Sequence, residues 1–190
     1  MNTLAIAIPD RTYGQEDDTD WEVKSSQLKA ELDAEFHCVF ERADIWPGAS
    51  LPAFLRELPQ EAWPYLAKGL YTFFKGKDIQ DNLKAWPELY KKLNPFRKHK
   101  PYFNREASAV LAVNEITAGF GREPRCIRLV GYSVGDPTGG PYDLEAISGI
   151  AEAPATHYLG WISHFFQIEA DGRLFKVIVE GNDVKVIEVP

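Results

Sequence analysis

The sequence predicts a single α+β domain, with helices grouped in its middle section and strands at both ends. Three observations carry that reading. Residues 4–8 form an unbroken apolar run, the length of a buried strand and too short for a buried helix. Between about residues 50 and 118 the apolar positions recur at steps of three and four, the period of a helix. From about residue 125 to 189 short apolar runs are separated by turn sequences, among them Asp171-Gly172, a strong hairpin signal. Hairpin connections imply a mixed or mainly antiparallel sheet, with a three-strand meander at its C-terminal end. A chain of 190 residues is long enough for one such core and short for two.

The elements follow in order. Pro9-Asp10 ends the first strand, and a polar loop with Gly14 and an acidic cluster comes next. Thr19-Asp20-Trp21-Glu22 fits a capping box, so a helix is expected over 21–35 with Trp21, Leu28 and Leu32 near one face. Residues 36–40 read as a second strand. Ser50 can cap a helix that tolerates Pro52 in its first turn, and Pro59 and Pro64 separate it from the next. That next helix carries Trp63, Leu66, Leu70, Phe73 and Phe74 and stops at Gly76. Asp78 caps a stripe of Ile79, Leu83, Trp86, Tyr90 and Leu93, with a kink or restart demanded by Pro87. Asn104 caps a helix to about 118, ended by Gly119 or Gly121. Strands are then expected at 125–133, 158–169, 173–179 and 184–189.

Composition narrows the function. The formal charge is −7, from 21 Lys and Arg against 28 Asp and Glu, which argues against a globally basic nucleic-acid binder. The charge is unevenly placed: residues 1–62 carry net −8, 63–106 net +6, and 107–190 net −5. Two cysteines, Cys38 and Cys126, cannot make a disulfide scaffold and read as small buried hydrophobes. The N-terminus has no basic start before its short apolar run, and no stretch approaches the length of a membrane helix, so a cytoplasmic protein is expected.

Three groups of residues could carry chemistry. Gly131-Tyr132-Ser133-Val134-Gly135 follows an apolar strand. Over those five residues it resembles the nucleophile elbow of the α/β-hydrolases. The resemblance implies Ser133 as nucleophile, with Asp143 or Asp136 and His157 or His164 completing a triad in the order Ser, Asp, His. Asp136-Pro137 and Gly139-Gly140-Pro141 stand where that fold needs a helix, and the tail reads as a meander instead. The basic segment is the second group: Lys91, Lys92, Arg97, Lys98 and Lys100, interleaved with Tyr90, Phe96, Tyr102 and Phe103, could hold a phosphate ligand or a nucleic-acid strand. The third is the acidic, tryptophan-bearing N-terminal section, with Asp17, Asp18, Asp20, Trp21 and the loop Trp46-Pro47-Gly48. The four histidines show no metal-ligand spacing, and no cofactor motif is present, so neither a metal nor a cofactor is expected.

The expectation that follows is a non-enzymatic protein-binding module. A small acidic α+β protein suits occlusion of a basic partner such as a toxin or effector domain, a physical description that bacterial immunity proteins share. A small serine hydrolase is the alternative, and a phosphate-ligand or nucleic-acid binder using residues 91–105 stands behind it.

Overall fold

A computed structural model describes residues 3–14, 20–48, 50–58, 64–79, 83, 86–120, 123–135 and 149–190. The class is mixed α+β, with four helices and two four-stranded antiparallel sheets among the described residues. Strands β1 (Leu4–Pro9), β2 (Glu41–Asp44), β3 (Pro52–Leu58) and β4 (Tyr102–Phe103) form the first sheet in the order β2-β3-β1-β4. Strands β5 (Ile127–Gly135), β6 (Ser163–Ala170), β7 (Arg173–Glu180) and β8 (Asp183–Val189) form the second in sequence order. The expected C-terminal meander is β6-β7-β8, turned at Asp171-Gly172, where both residues take the left-handed conformation at φ 49° and φ 80°. The strands are thus divided between two sheets, where the sequence suggested one.

The helices are α1 (Trp21–Phe36), α2 (Pro64–Phe74), α3 (Trp86–Leu93) and α4 (Arg105–Gly119). Helix α4 is the centre of the molecule. Every residue from Glu106 to Val113 is buried, because one side meets β1 and β4 while the other meets β6, β7 and β8. Its composition suits that position: Ala107, Ser108, Ala109 and Ala112 let two layers approach closely, and apolar side chains are present on all sides. Asn104 caps it as expected, its Oδ1 accepting from the Ala107 amide at 3.1 Å. One core joins both sheets, running from Leu4, Ile6 and Ile8 through Val110 and Leu111 to Phe166, Ile168 and Phe175. A smaller cluster of Ala5, Ala7, Ile45, Ala53 and Leu159 covers the far face of the first sheet.

Three sequence expectations are corrected. Residues 36–40 are not a strand: Phe36 ends α1 and His37 caps it at φ 50°, donating to the Asp33 carbonyl, so β2 begins only at Glu41. The Asp33 side chain holds this exit, accepting from the Phe40 amide at 2.8 Å. Residues 52–58 are a strand, not a helix. Their helical spacing is overridden by β1, whose buried run pairs with β3 from Leu4↔Leu58 to Pro9↔Ala53. Pro52 sits at the first position of β3, the strand position that suits a residue without an N–H. Of the stripe starting at Ile79, α3 holds the part from Trp86 onward, with Pro87 in its first turn; Ile79 instead bridges Ile127.

Candidate functional site

The acidic N-terminal section builds a cavity of about 460 Å³ between the first turns of α1, the segment that follows β1, and the β2–β3 hairpin. Asp10 organises it. This carboxylate is buried, and it accepts from the Thr12 amide at 3.0 Å, the Thr12 hydroxyl at 2.6 Å and the Trp21 indole N–H at 3.2 Å. Burial alone would raise its pKa, but the hydrogen bonds from Ser25, Thr12 and Trp21 outweigh that and hold it below the ordinary carboxylate value. Asp10 is therefore an anion that orients Trp21 and has little capacity left for a ligand.

Tyr13 packs edge-on against Trp21, with ring centroids 5.3 Å apart, and is itself exposed. These two rings form one wall. Across from them stand Arg42 and Asp44 of β2, the edge strand of its sheet. Asp44 Oδ1 accepts from the amides of Trp46 and Leu51, which fixes the turn; Arg42 reaches Ser26 on α1 at 2.8 Å. The cavity thus offers two aromatic faces and an exposed carboxylate beside an edge strand. Asp20 is exposed at the start of α1 and its side chain makes no capping bond. Asp17 and Asp18 lie outside the described residues.

Trp46 is half-buried in the turn after β2, and its ring meets Trp161 edge-on at 4.8 Å. It is held from behind by chain from the far end of the sequence. Gly160 packs there so closely that a Cβ on it would lie 2.5 Å from a Leu51 methyl and 3.2 Å from the Ile45 carbonyl. Tyr13, Asp44 and Trp161 escaped sequence reasoning because they lie in turns and a short strand, where no periodicity marks a face.

Ser133 is an ordinary strand residue. It lies within β5 opposite Phe165, and it is not among the described residues with a positive φ. The adjacent pair, Val134↔His164, projects to the other face, so His164 turns away from the Ser133 hydroxyl. Both ring nitrogens of His164 are engaged: Nε2 at 2.9 Å from the Phe103 carbonyl and Nδ1 at 2.8 Å from the Tyr132 hydroxyl. A carbonyl only accepts, so Nε2 carries the proton and Tyr132 donates to Nδ1. Burial drives the pKa of His164 down to about 4 and that of Tyr132 up. His157 lies in a 3-10 turn, Thr156–Tyr158, against the Tyr158 ring. Asp143 and Asp136 lie outside the described residues.

The basic segment is taken apart by the fold. Arg97 points to the β7–β8 turn, bonding the Asn182 side chain at 2.9 Å and its carbonyl at 3.0 Å, with Tyr90 and Glu115 beside it. Lys91 pairs with Glu88 on the exposed side of α3, and Lys92 is exposed one position on. Lys98 and Lys100 instead line a groove with Arg11 and His99, about 420 Å³ in volume. Among the described residues no group of three His, Cys, Asp or Glu side chains could hold a metal ion, and no helix is long and apolar enough to cross a membrane. Cys38 and Cys126 are free and partly buried, and burial pushes both thiols up. Comparison with protein-family models, with curated proteins and with solved structures finds no match.

Proposed function

We propose that the chain is a non-enzymatic, cytosolic inhibitor of the immunity type, which occludes a basic protein such as a bacterial toxin domain. The observation that supports this reading is the cavity of Tyr13, Trp21 and Asp44 beside the edge strand β2, set in the part of the chain that carries net −8. Aromatic side chains that are held in place but partly exposed make good interface anchors, since little conformational freedom is lost when a partner covers them. A carboxylate next to them suits a lysine or arginine, which can stack on the rings while pairing with Asp44. Excess negative charge around the site speeds encounter with a basic target and disfavours acidic ones. An edge strand adds backbone donors and acceptors that an extended segment can use.

The test is capture of a protein from the native host, followed by assay of the captured protein's own activity. The expected result is a basic protein whose activity the purified chain abolishes at equimolar ratio. Tyr13→Ala combined with Asp44→Asn should weaken that inhibition by on the order of a hundredfold, the effect of losing one anchor and one ion pair. A captured partner whose activity is untouched by the chain would overturn the inhibitor reading. Full inhibition by the double variant, and by Trp46→Ala, would overturn the surface assignment.

A further inference from the structure

We propose that the cavity between α1 and the β2–β3 hairpin binds a free α-amino acid with a flat, apolar side chain, its carboxylate on Arg42 and its ammonium on Asp44. This goes beyond the inhibitor reading and is measured with no protein partner present. Arg42 and Asp44 are two positions apart on β2, so both side chains leave the same face of the strand, about 7 Å from one another along it. Both line the cavity and both are exposed. They carry opposite charges, yet neither forms an ion pair with the other or with any described residue. A charged side chain on an open surface is usually just solvated; two opposite, unpaired charges on one concavity match a ligand that carries both.

Each charge is also held in place without being neutralised. Arg42 Nη2 donates to the Ser26 hydroxyl at 2.8 Å, and that hydroxyl donates in turn to the Glu22 carbonyl at 2.7 Å. The rest of the guanidinium has donors to spare. Asp44 Oδ1 accepts from the Trp46 and Leu51 amides at 3.1 and 3.0 Å, which leaves Oδ2 for an ammonium. Asp10 lies in the same cavity, but its oxygens are already taken by Thr12 and Trp21, so Asp44 is the carboxylate that can receive a ligand. Groups fixed before binding lose little freedom when a ligand arrives. The remaining surface suits the side chain. Phe54 and Ala53 give a buried apolar floor, and the Tyr13 and Trp21 rings give a wall on which a flat group can stack. A volume of about 460 Å³ lies within the range of small-molecule sites. A peptide terminus brings only one of the two charges; the free amino acid brings both on one carbon.

The five tryptophans make the test direct, because the indole nitrogen–proton correlation spectrum of the whole chain holds five signals. L-Phenylalanine is titrated in, with L-phenylalaninamide and N-acetyl-L-phenylalanine in parallel series at matched ionic strength. The expected result is a saturable shift of the Trp21 signal, whose N–H donates to Asp10 in the cavity, while buried Trp86 stays in place. The amide lacks the carboxylate and the acetyl form lacks the ammonium, so each should need on the order of tenfold more ligand for half-saturation. Arg42→Gln should remove the preference for phenylalanine over its amide and keep the preference over the acetyl form. Asp44→Asn should do the reverse, and its remaining oxygen can still accept from the two turn amides. An unmoved Trp86 signal in each variant shows that the core is intact. The proposal is overturned if phenylalanine leaves Trp21 unmoved, if the blocked forms bind equally well, or if each substitution weakens all three ligands alike.

Discussion

His164 shows how one buried side chain can set the acid limit of the whole fold. It is fully enclosed between β6, Tyr132 and the Phe103 carbonyl, with Phe166 alongside and the Arg105 guanidinium near the Tyr132 ring. Its folded pKa of about 4 lies below the usual 6.5 because burial, reinforced by Arg105, penalises the charged form more than the bond to Phe103 favours it. The unfolded chain therefore takes up a proton first as pH falls. Its contribution is complete above about pH 6.5 and is lost progressively down to about pH 4, a change of about 3 kcal/mol. Urea midpoints measured between pH 7 and pH 4 should fall accordingly, and His164→Gln should flatten that slope while lowering stability at pH 7. A slope identical in the variant would assign the effect to Asp10 and Glu35, whose lowered carboxyl values also remove stability in acid. None of this network was legible in sequence. His164 stood out there as half of a hydrolase alternative, and only the β5–β6 register places it on the face opposite Ser133.

At the scale of elements, the sequence was most informative where a local rule acts alone. Asn104 before Arg105-Glu106 marked the start of α4, Gly76 marked the end of α2, and Asp171-Gly172 marked the hairpin. The reading failed where a long-range partner decides. Residues 52–58 have helical spacing but become β3 because β1 offers a row of backbone partners, and no local signal announces that pairing. Asn104 does more than cap: its amide nitrogen donates to the Thr3 carbonyl at 2.7 Å and its backbone N–H to the Ala5 carbonyl at 3.1 Å, so it ties α4 to β1. Asn104→Ala should cost about 2 kcal/mol, the upper end for a lost cap, seen as a lowered denaturation midpoint. Gly160→Ala tests the docking of the C-terminal half behind the β2–β3 turn. Contact with Leu51 and the Ile45 carbonyl should cost about 1–3 kcal/mol and shift Trp46–Trp161 fluorescence. Unchanged stability and emission would mean that this contact is loose.

For the molecule as a whole, the charge pattern read from the sequence becomes two separate concavities. The cavity of Tyr13, Trp21 and Asp44 and the groove of Lys98, His99 and Lys100 are built around opposite ends of α1. The sequence located both regions by charge but could not say which members of each run would converge; Arg97 left its run, while Arg11 and Tyr13 joined from a segment without periodicity. What holds these sites in one object is α4, which serves both sheets at once. Each sheet lacks a complete core without that helix, and the helix covers only one of them if the chain is cut after it. Two polypeptides, residues 1–120 and 123–190, should therefore each be unfolded alone yet reassemble into the native structure when expressed together. Far-ultraviolet circular dichroism of the separate and mixed pieces would show it. A protein arranged in this way is a natural split reporter: each half would be silent until something brings it to the other.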